Sequence, residues 1–81
     1  KELLPDKKDF AVFCKLKEAR AEIAAREAVP VYAIFNNEQI FQMVKTRATT
    51  KKALGEIDGI GDARAAKFGE RFLALLTEAY G

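Results

Sequence analysis

No glycine or proline interrupts the chain between Asp9 and Val29, and apolar residues recur through that stretch at helical spacing. At about 100° per residue, Val12, Phe13, Leu16, Ala19, Ile23 and Ala24 share one face, while Lys15, Lys17, Glu18, Glu22 and Arg26 lie at its edges or opposite. Asp9 stands where an N-cap belongs. The spacing predicts one long amphipathic helix, whose apolar stripe the rest of the chain has to cover. Ahead of it, Lys1–Lys8 is a charged lead with Pro5 and no apolar period. It reads as a linker or flexible arm, leaving a domain over 9–80.

The covering segments are expected to be mostly helical. Val29-Pro30-Val31-Tyr32-Ala33-Ile34-Phe35 is apolar and rich in strand formers, but Pro30 opens it and no second strand exists to pair with. It reads as an extended segment packed across the core, with Val29, Tyr32, Ile34 and Phe35 as anchors. Asn36 caps a short helix with Gln39 at the partner position of a capping box. Ile40, Met43 and Val44 supply its buried side, with Phe41 beside them. After Lys45-Thr46-Arg47-Ala48, Thr49 or Thr50 caps a third, shorter helix through Ala53, Leu54 and Ile57. Asp58-Gly59-Ile60-Gly61 then turns tightly into a helix near Asp62–Phe68. Gly69 breaks or caps that helix, and a last one carries Phe72, Leu73, Leu75, Leu76 and Ala79. The expected fold is all-α, a compact bundle of about five helices with a Gly-Ile-Gly turn like that of a helix-hairpin-helix.

Composition excludes several chemistries. With no histidine and a single cysteine, Cys14, the chain builds neither a disulfide framework nor a His/Cys zinc site. Histidine-based acid–base or nucleophilic catalysis is excluded as well, and Cys14 lacks the partner a nucleophile needs. An enzyme is not expected, nor a cofactor. The lone cysteine fits a reducing, intracellular setting. The longest uncharged run, Ala28–Asn37, is far below the roughly 20 residues of a membrane span, so no membrane partner is expected. A start at Lys1 without Met reads as a fragment or processed chain. At 81 residues there is room for one core. A chain of this size buries only about 60% of its unfolded surface, so function is expected on the outside, in a monomer. Fourteen Lys+Arg against 12 Asp+Glu leave a net charge of +2, too weak to attract a polyanion in bulk. Any electrostatic role depends on placement.

Two features offer such placement. The amides at Gly59–Gly61, at the start of a helix, are able to meet a phosphate oxygen. The competing reading is a tight helix–helix corner with Ile60 plugged into the core, and Asp58 and Asp62 on either side weaken the phosphate reading. From Lys45 to Arg71 there are seven basic residues, Lys45, Arg47, Lys51, Lys52, Arg64, Lys67 and Arg71, against four acidic ones. Arg64, Lys67 and Arg71 fall at i, i+3 and i+7, one helical face if the helix continues past Gly69. Such a stripe either tracks phosphates or is a solvated face. Among the aromatics, Tyr80 and Tyr32 are the candidate platforms for base stacking, with core packing preferred for Tyr32. Arg20 lies near the middle of the apolar face of the first helix. Either its stem lies along the core, or it bonds carbonyls of the Pro30–Phe35 crossing, a structural role in both cases. Carboxylates such as Glu56 and Asp58 read as solvated surface groups.

The order of these signals resembles a known family. A helix with Leu16, Ala19, Arg20, Ile23 and Ala24 leads to Val29-Pro30-Val31-Tyr32-Ala33-Ile34-Phe35-Asn36-Asn37. Arg47-Ala48-Thr49-Thr50 and Ile57-Asp58-Gly59-Ile60-Gly61 follow, and the stretch from Arg64 to Leu73 closes the pattern. Over Asp9 to Thr77 the chain resembles the HRDC domain, the helicase-and-RNase-D C-terminal module. The resemblance implies a bundle of five or so helices appended to RecQ-type DNA helicases, to RNase D and to other nucleic-acid enzymes. It implies an accessory module without catalysis of its own, contacting single-stranded or partly unwound nucleic acid through basic residues. Arg64 and Lys67, after the Gly-apolar-Gly turn, and Lys45 and Arg47, before the Thr-Thr cap, match the family's basic positions. Val31 stands where a second proline is common, Ala48 where proline often precedes Thr-Thr, and Phe68 where tyrosine is common. The last exchange removes a phenol able to reach a phosphate.

The expected function is therefore a nucleic-acid-binding module with little sequence preference. Lys45, Arg47, Lys51, Lys52, Arg64, Lys67 and Arg71 would contact the backbone, helped by the amides at Gly59 and Gly61. Single-stranded DNA is the first expected partner and RNA the second, together with a parent nucleic-acid enzyme, in the bacterial nucleoid or elsewhere inside the cell. The alternative is a protein-interaction or regulatory module docking on a helicase, nuclease or reverse transcriptase, recognisable by an exposed apolar patch and scattered cations. A structural spacer is the third reading.

Overall fold

Five helices account for most of the residues described in the computed structural model, 7–81: α1 (Lys7–Glu27), α2 (Val31–Ile34), α3 (Asn37–Lys45), α4 (Lys51–Gly55) and α5 (Gly61–Tyr80). The fold is all-α, as the periodicity predicts. Lys7 and Lys8 belong to α1 rather than to an arm, while the rest of the expected arm lies outside the described residues. Asp9 is accordingly not an N-cap. It sits inside the helix, 5% exposed, and accepts the Tyr80 hydroxyl hydrogen bond at 2.5 Å.

The stripe on α1 is buried as its spacing requires, through Val12, Leu16, Ala19, Ile23 and Ala24, with Phe13 half-buried. Helix α5 runs antiparallel to it. Tyr80 meets Asp9 at one end, and Arg71 meets Glu22 at 2.6 Å further along. Between them Phe35 stands edge-on to Phe72, with ring centroids 4.9 Å apart, and to Phe68 at 6.5 Å.

The Val29–Phe35 segment departs from the expected extended crossing. Pro30 and Phe35 are extended, but Val31–Ile34 make one helical turn between them. Ile34 and Phe35 are fully buried, whereas Val29 is 38% and Tyr32 69% exposed, so only two of the four expected anchors reach the core. The cause is periodicity. In a strand Tyr32 and Ile34 would share a face, whereas in a helical turn residues two apart point about 200° away from each other.

Asn36 caps α3 as predicted. Its side chain accepts from the Gln39 N–H and the Gln39 side chain accepts from the Asn36 N–H, both at 2.8 Å. Thr50, not Thr49, caps α4 by accepting from the Ala53 N–H. Gly69 does not end a helix; α5 passes through it unbroken. Instead Gly69 admits a close approach of α4, since a Cβ there would stand 2.6 Å from Leu54 Cδ2. Five is still the number of helices among the described residues, because the two expected after Gly61 are one and α2 is added.

Candidate nucleic-acid interface

The Gly-Ile-Gly turn follows from its backbone angles. Gly59 at φ +87° and Gly61 at φ +70° occupy the left-handed region that disfavours side chains, and Ile60 between them is 5% exposed. The corner geometry is therefore present, with Ile60 plugged into the core. Gln39 Nε2 donates to the Asp58 carbonyl at 3.3 Å and braces the turn from α3. Gly59 and Gly61 are themselves exposed, but their surroundings are acidic: Glu38, Glu56 and Asp58 line one open cleft beside the turn, and Asp62 occupies the first turn of α5. A phosphate approaching those amides meets four carboxylates.

Along α5, Ala65, Gly69, Phe72 and Leu76 face the core. Because the helix continues past Gly69, Arg64, Lys67 and Arg71 do fall on one flank. That flank borders the second half of α1, where Arg26, Glu27, Lys67, Glu70 and Arg71 rim a shallow hollow. Arg64 is half-buried, and the Lys67 ammonium rests 5.2 Å from the Phe68 ring centre. Arg71 is engaged by Glu22, an ion pair half-exposed on both sides.

The other cations lie on α3, on α4 and between them. Lys45 closes α3, with its ammonium 5.8 Å from the Phe41 ring centre. Arg47 stands in the left-handed region at φ +51° and lays its guanidinium over the Tyr80 ring at 4.8 Å, with Asp9 Oδ1 4.0 Å away. Lys51 and Lys52 are exposed on the first turn of α4. That turn lies between the two ends of α5, because Thr77 Oγ1 donates to the Thr49 carbonyl just before it at 3.5 Å, while Gly55 at the close of α4 stands against Gly61 and Asp62.

The nine sequence-derived positions do not gather in one place. Gly59, Gly61, Arg64, Lys67 and Arg71 lie towards the start of α5, and Arg47, two residues after Lys45, lies at its end against Tyr80. Lys51 and Lys52 stand between the two ends. From Arg64 to Tyr80 the helix climbs about 24 Å at 1.5 Å per residue. Tyr80 is half-buried with two cations on its ring, Arg47 and Lys8, the latter at 5.4 Å. Tyr32, by contrast, is open to solvent on α2, which follows directly on the end of α1 that carries Arg26. Sequence reasoning names Tyr32 as a candidate stacking platform but prefers core packing for it, and it names neither Lys8 nor Arg26 as a contact. The signal for Tyr32 was the proline at the start of its segment, which suits the first turn of a helix as well as it opens a strand.

Arg20 takes the structural role expected of it. Its Nη1 donates to the Phe35 carbonyl at 2.9 Å, and burial in the core lowers its pKa by desolvation. Among the described residues no cluster of three potential metal ligands occurs, and no helix is long and apolar enough to cross a membrane.

The family model for the HRDC domain matches residues 9–76. This chain belongs to the HRDC domain family. Three similar proteins carry the name ATP-dependent DNA helicase RecQ. The one from Haemophilus influenzae is 31% identical over 70 residues, 86% of this chain and 11% of the helicase. That of Pasteurella multocida is 29% identical over the same lengths, and that of Bacillus subtilis 32% over 62 residues, 76% of this chain and 10% of the helicase. The HRDC chain thus spans about a tenth of the curated relatives it matches, the share of an accessory domain. No solved structure gives a significant match.

Proposed function

We propose that this HRDC domain is a non-catalytic accessory module of a RecQ-type DNA helicase that holds single-stranded or partly unwound DNA inside the cell. The observation that carries the reading is Tyr32, an aromatic ring 69% exposed on α2, between Val29, bonded to the last turns of α1, and Phe35, packed against Phe68 of α5. A base stacks on such a ring whatever its identity, and basic side chains meet the backbone. Sequence preference is accordingly low. The names of the three relatives, each a DNA helicase, favour DNA over RNA as the strand.

The test is a salt titration of the domain against a labelled single strand and the matching duplex. Binding should favour the single strand, and log affinity should fall with log salt by roughly 0.7 per neutralised phosphate. Salt-insensitive binding, or equal affinity for duplex, would contradict the reading.

One observation favours docking on a parent enzyme instead. Val29 and Val31 are exposed beside Tyr32, giving an apolar knob on a rigid turn. Replacing both valines by serine separates the two readings, since a docking surface would lose its partner while strand binding through Tyr32 and the cations would persist.

A further inference from the structure

At the end of α5 away from Tyr32, Lys8 and Arg47 both lean on the Tyr80 ring, at 5.4 and 4.8 Å. Beneath them the Asp9 side chain is 7% exposed and holds the Tyr80 hydroxyl. We propose that Lys8 and Arg47, stacked on Tyr80 above the buried Asp9, form a second phosphodiester-binding site that grips the same single strand some distance from Tyr32.

This inference rests on the strand-binding reading and adds a second point of contact to it. Three features support it. The Arg47 side chain is 59% exposed even though its guanidinium lies over a ring and near a carboxylate. A guanidinium has five N–H donors in a fixed fork, so partners on one side leave donors for a phosphate on the other. Second, the cation is placed by backbone: the Arg47 N–H donates to the Val44 carbonyl at 3.1 Å and the Ala48 N–H to the Met43 carbonyl at 3.1 Å. A preorganised cation loses less entropy on binding than one on a loose tether. Third, among the described residues that the contacts place at this site, Lys8 and Arg47 outnumber Asp9. With two cations on its ring, Tyr80 acts as a mount for phosphate-binding groups, a different role from that of the open Tyr32.

The separation of the two contacts gives the proposal a length. About 24 Å along α5 corresponds to about seven nucleotides at a stacked strand's rise of about 3.4 Å. A strand of four nucleotides engages one end of the domain, and a strand of ten or more bridges both.

The experiment is a length series of single-stranded oligonucleotides, from four to twelve nucleotides, titrated against the wild-type domain and against Lys8→Gln/Arg47→Gln. Wild-type affinity should rise steeply between about four and eight nucleotides, beyond what added binding registers give. The double variant should keep the four-nucleotide affinity, lose about tenfold on the twelve-nucleotide strand, and show a salt slope shallower by roughly 1.4 on the long strand, two phosphates' worth. An equal loss at every length, or none at any, overturns the second site while leaving strand binding in place. Absence of salt-dependent binding to any oligonucleotide removes the functional reading and this inference together. Ile40→Val, a change inside the core at a residue outside both contacts, is the folding control. It should lower the melting temperature more than the double variant does, yet retain the length-dependent gain.

Discussion

The Arg20 guanidinium donates to the carbonyl of Phe35, fifteen positions away, at 2.9 Å and inside the core. The extended backbone at Phe35 leaves that carbonyl without a helical partner, and Arg20 supplies one. Replacing Arg20 by Met keeps volume but leaves the buried carbonyl unsatisfied, at a cost of about 1–3 kcal/mol. Arg20→Ala adds a cavity and should cost more, and thermal melts of both variants measure the order. The pH dependence has a definite sign. Desolvation lowers the folded pKa of Arg20, so the unfolded chain binds the proton more tightly, and stability rises with pH only in the strongly alkaline window below the ordinary arginine pKa. Through the neutral range its contribution is flat, and the cost of Arg20→Met should not change with pH there.

Gly69→Ala tests the close approach of α4 to α5. In an exposed helix this change stabilises by about 1 kcal/mol. Here the new methyl would meet Leu54 Cδ2 at 2.6 Å, so the end of that fully buried side chain has to shift within the core. Overpacking of this kind costs about 1–3 kcal/mol. Chemical denaturation should show a net loss, and Gly69→Ala combined with Leu54→Ala should cost less than the sum of the two single changes, because the shorter side chain opens the space.

The same glycine shows what the sequence conveys and what it withholds. Local chemistry was legible: the Asn36–Gln39 box, the Thr50 cap, the left-handed glycines around Ile60 and the stripe on α1 are set by residues within a turn or two of one another. Gly69 was ambiguous because a glycine that ends a helix and one that admits a neighbouring helix look alike until the neighbour is placed. Tyr32 was misplaced because a short apolar run carries no period long enough to separate strand from helical turn. The clasp of Asp9 with Tyr80, 71 positions apart, had no local signal at all. For the candidate site, the residue types were legible while their grouping was not, since only the path of α5 decides that Arg64 and Arg47 stand at opposite ends.

Gln39 joins two elements with one side chain. Its Oε1 closes the capping box and its Nε2 reaches the Asp58 carbonyl, so it ties α3 to the glycine turn. Gln39→Ala should cost about 1–3 kcal/mol. Gln39→Glu keeps the acceptor for the Asn36 N–H but points a second oxygen at a carbonyl, so it should fall between wild type and alanine or below both. Hydrogen exchange at Ile60 and Gly61 should speed up in either variant, which a purely local effect on α3 would not produce.

Tyr32→Ala is the most direct check on strand binding. The side chain is exposed and makes no hydrogen bond, so stability should change by under about 0.5 kcal/mol. Loss of a stacked base costs about 1–3 kcal/mol, a fall of roughly five- to 150-fold in affinity. Tyr32→Phe should retain nearly all of it. Because stacking carries no charge, the salt slope should stay the same while the affinity drops, which distinguishes Tyr32 from the cations.

The Glu22–Arg71 pair makes an opposite prediction, a gain. Both side chains are about half exposed, so the pair contributes no more than about 1 kcal/mol to stability. While Glu22 holds Arg71, the basic stripe on α5 has two cations to offer rather than three. Glu22→Gln should leave the melting temperature within a few degrees of wild type, and it should raise single-strand affinity with a salt slope steeper by roughly 0.7, one more phosphate neutralised. Glu18→Gln, one turn back on the exposed face of α1, removes the same charge without releasing a cation. It should raise affinity less and leave the slope as it was. If the two variants behave alike, Arg71 is not a strand contact.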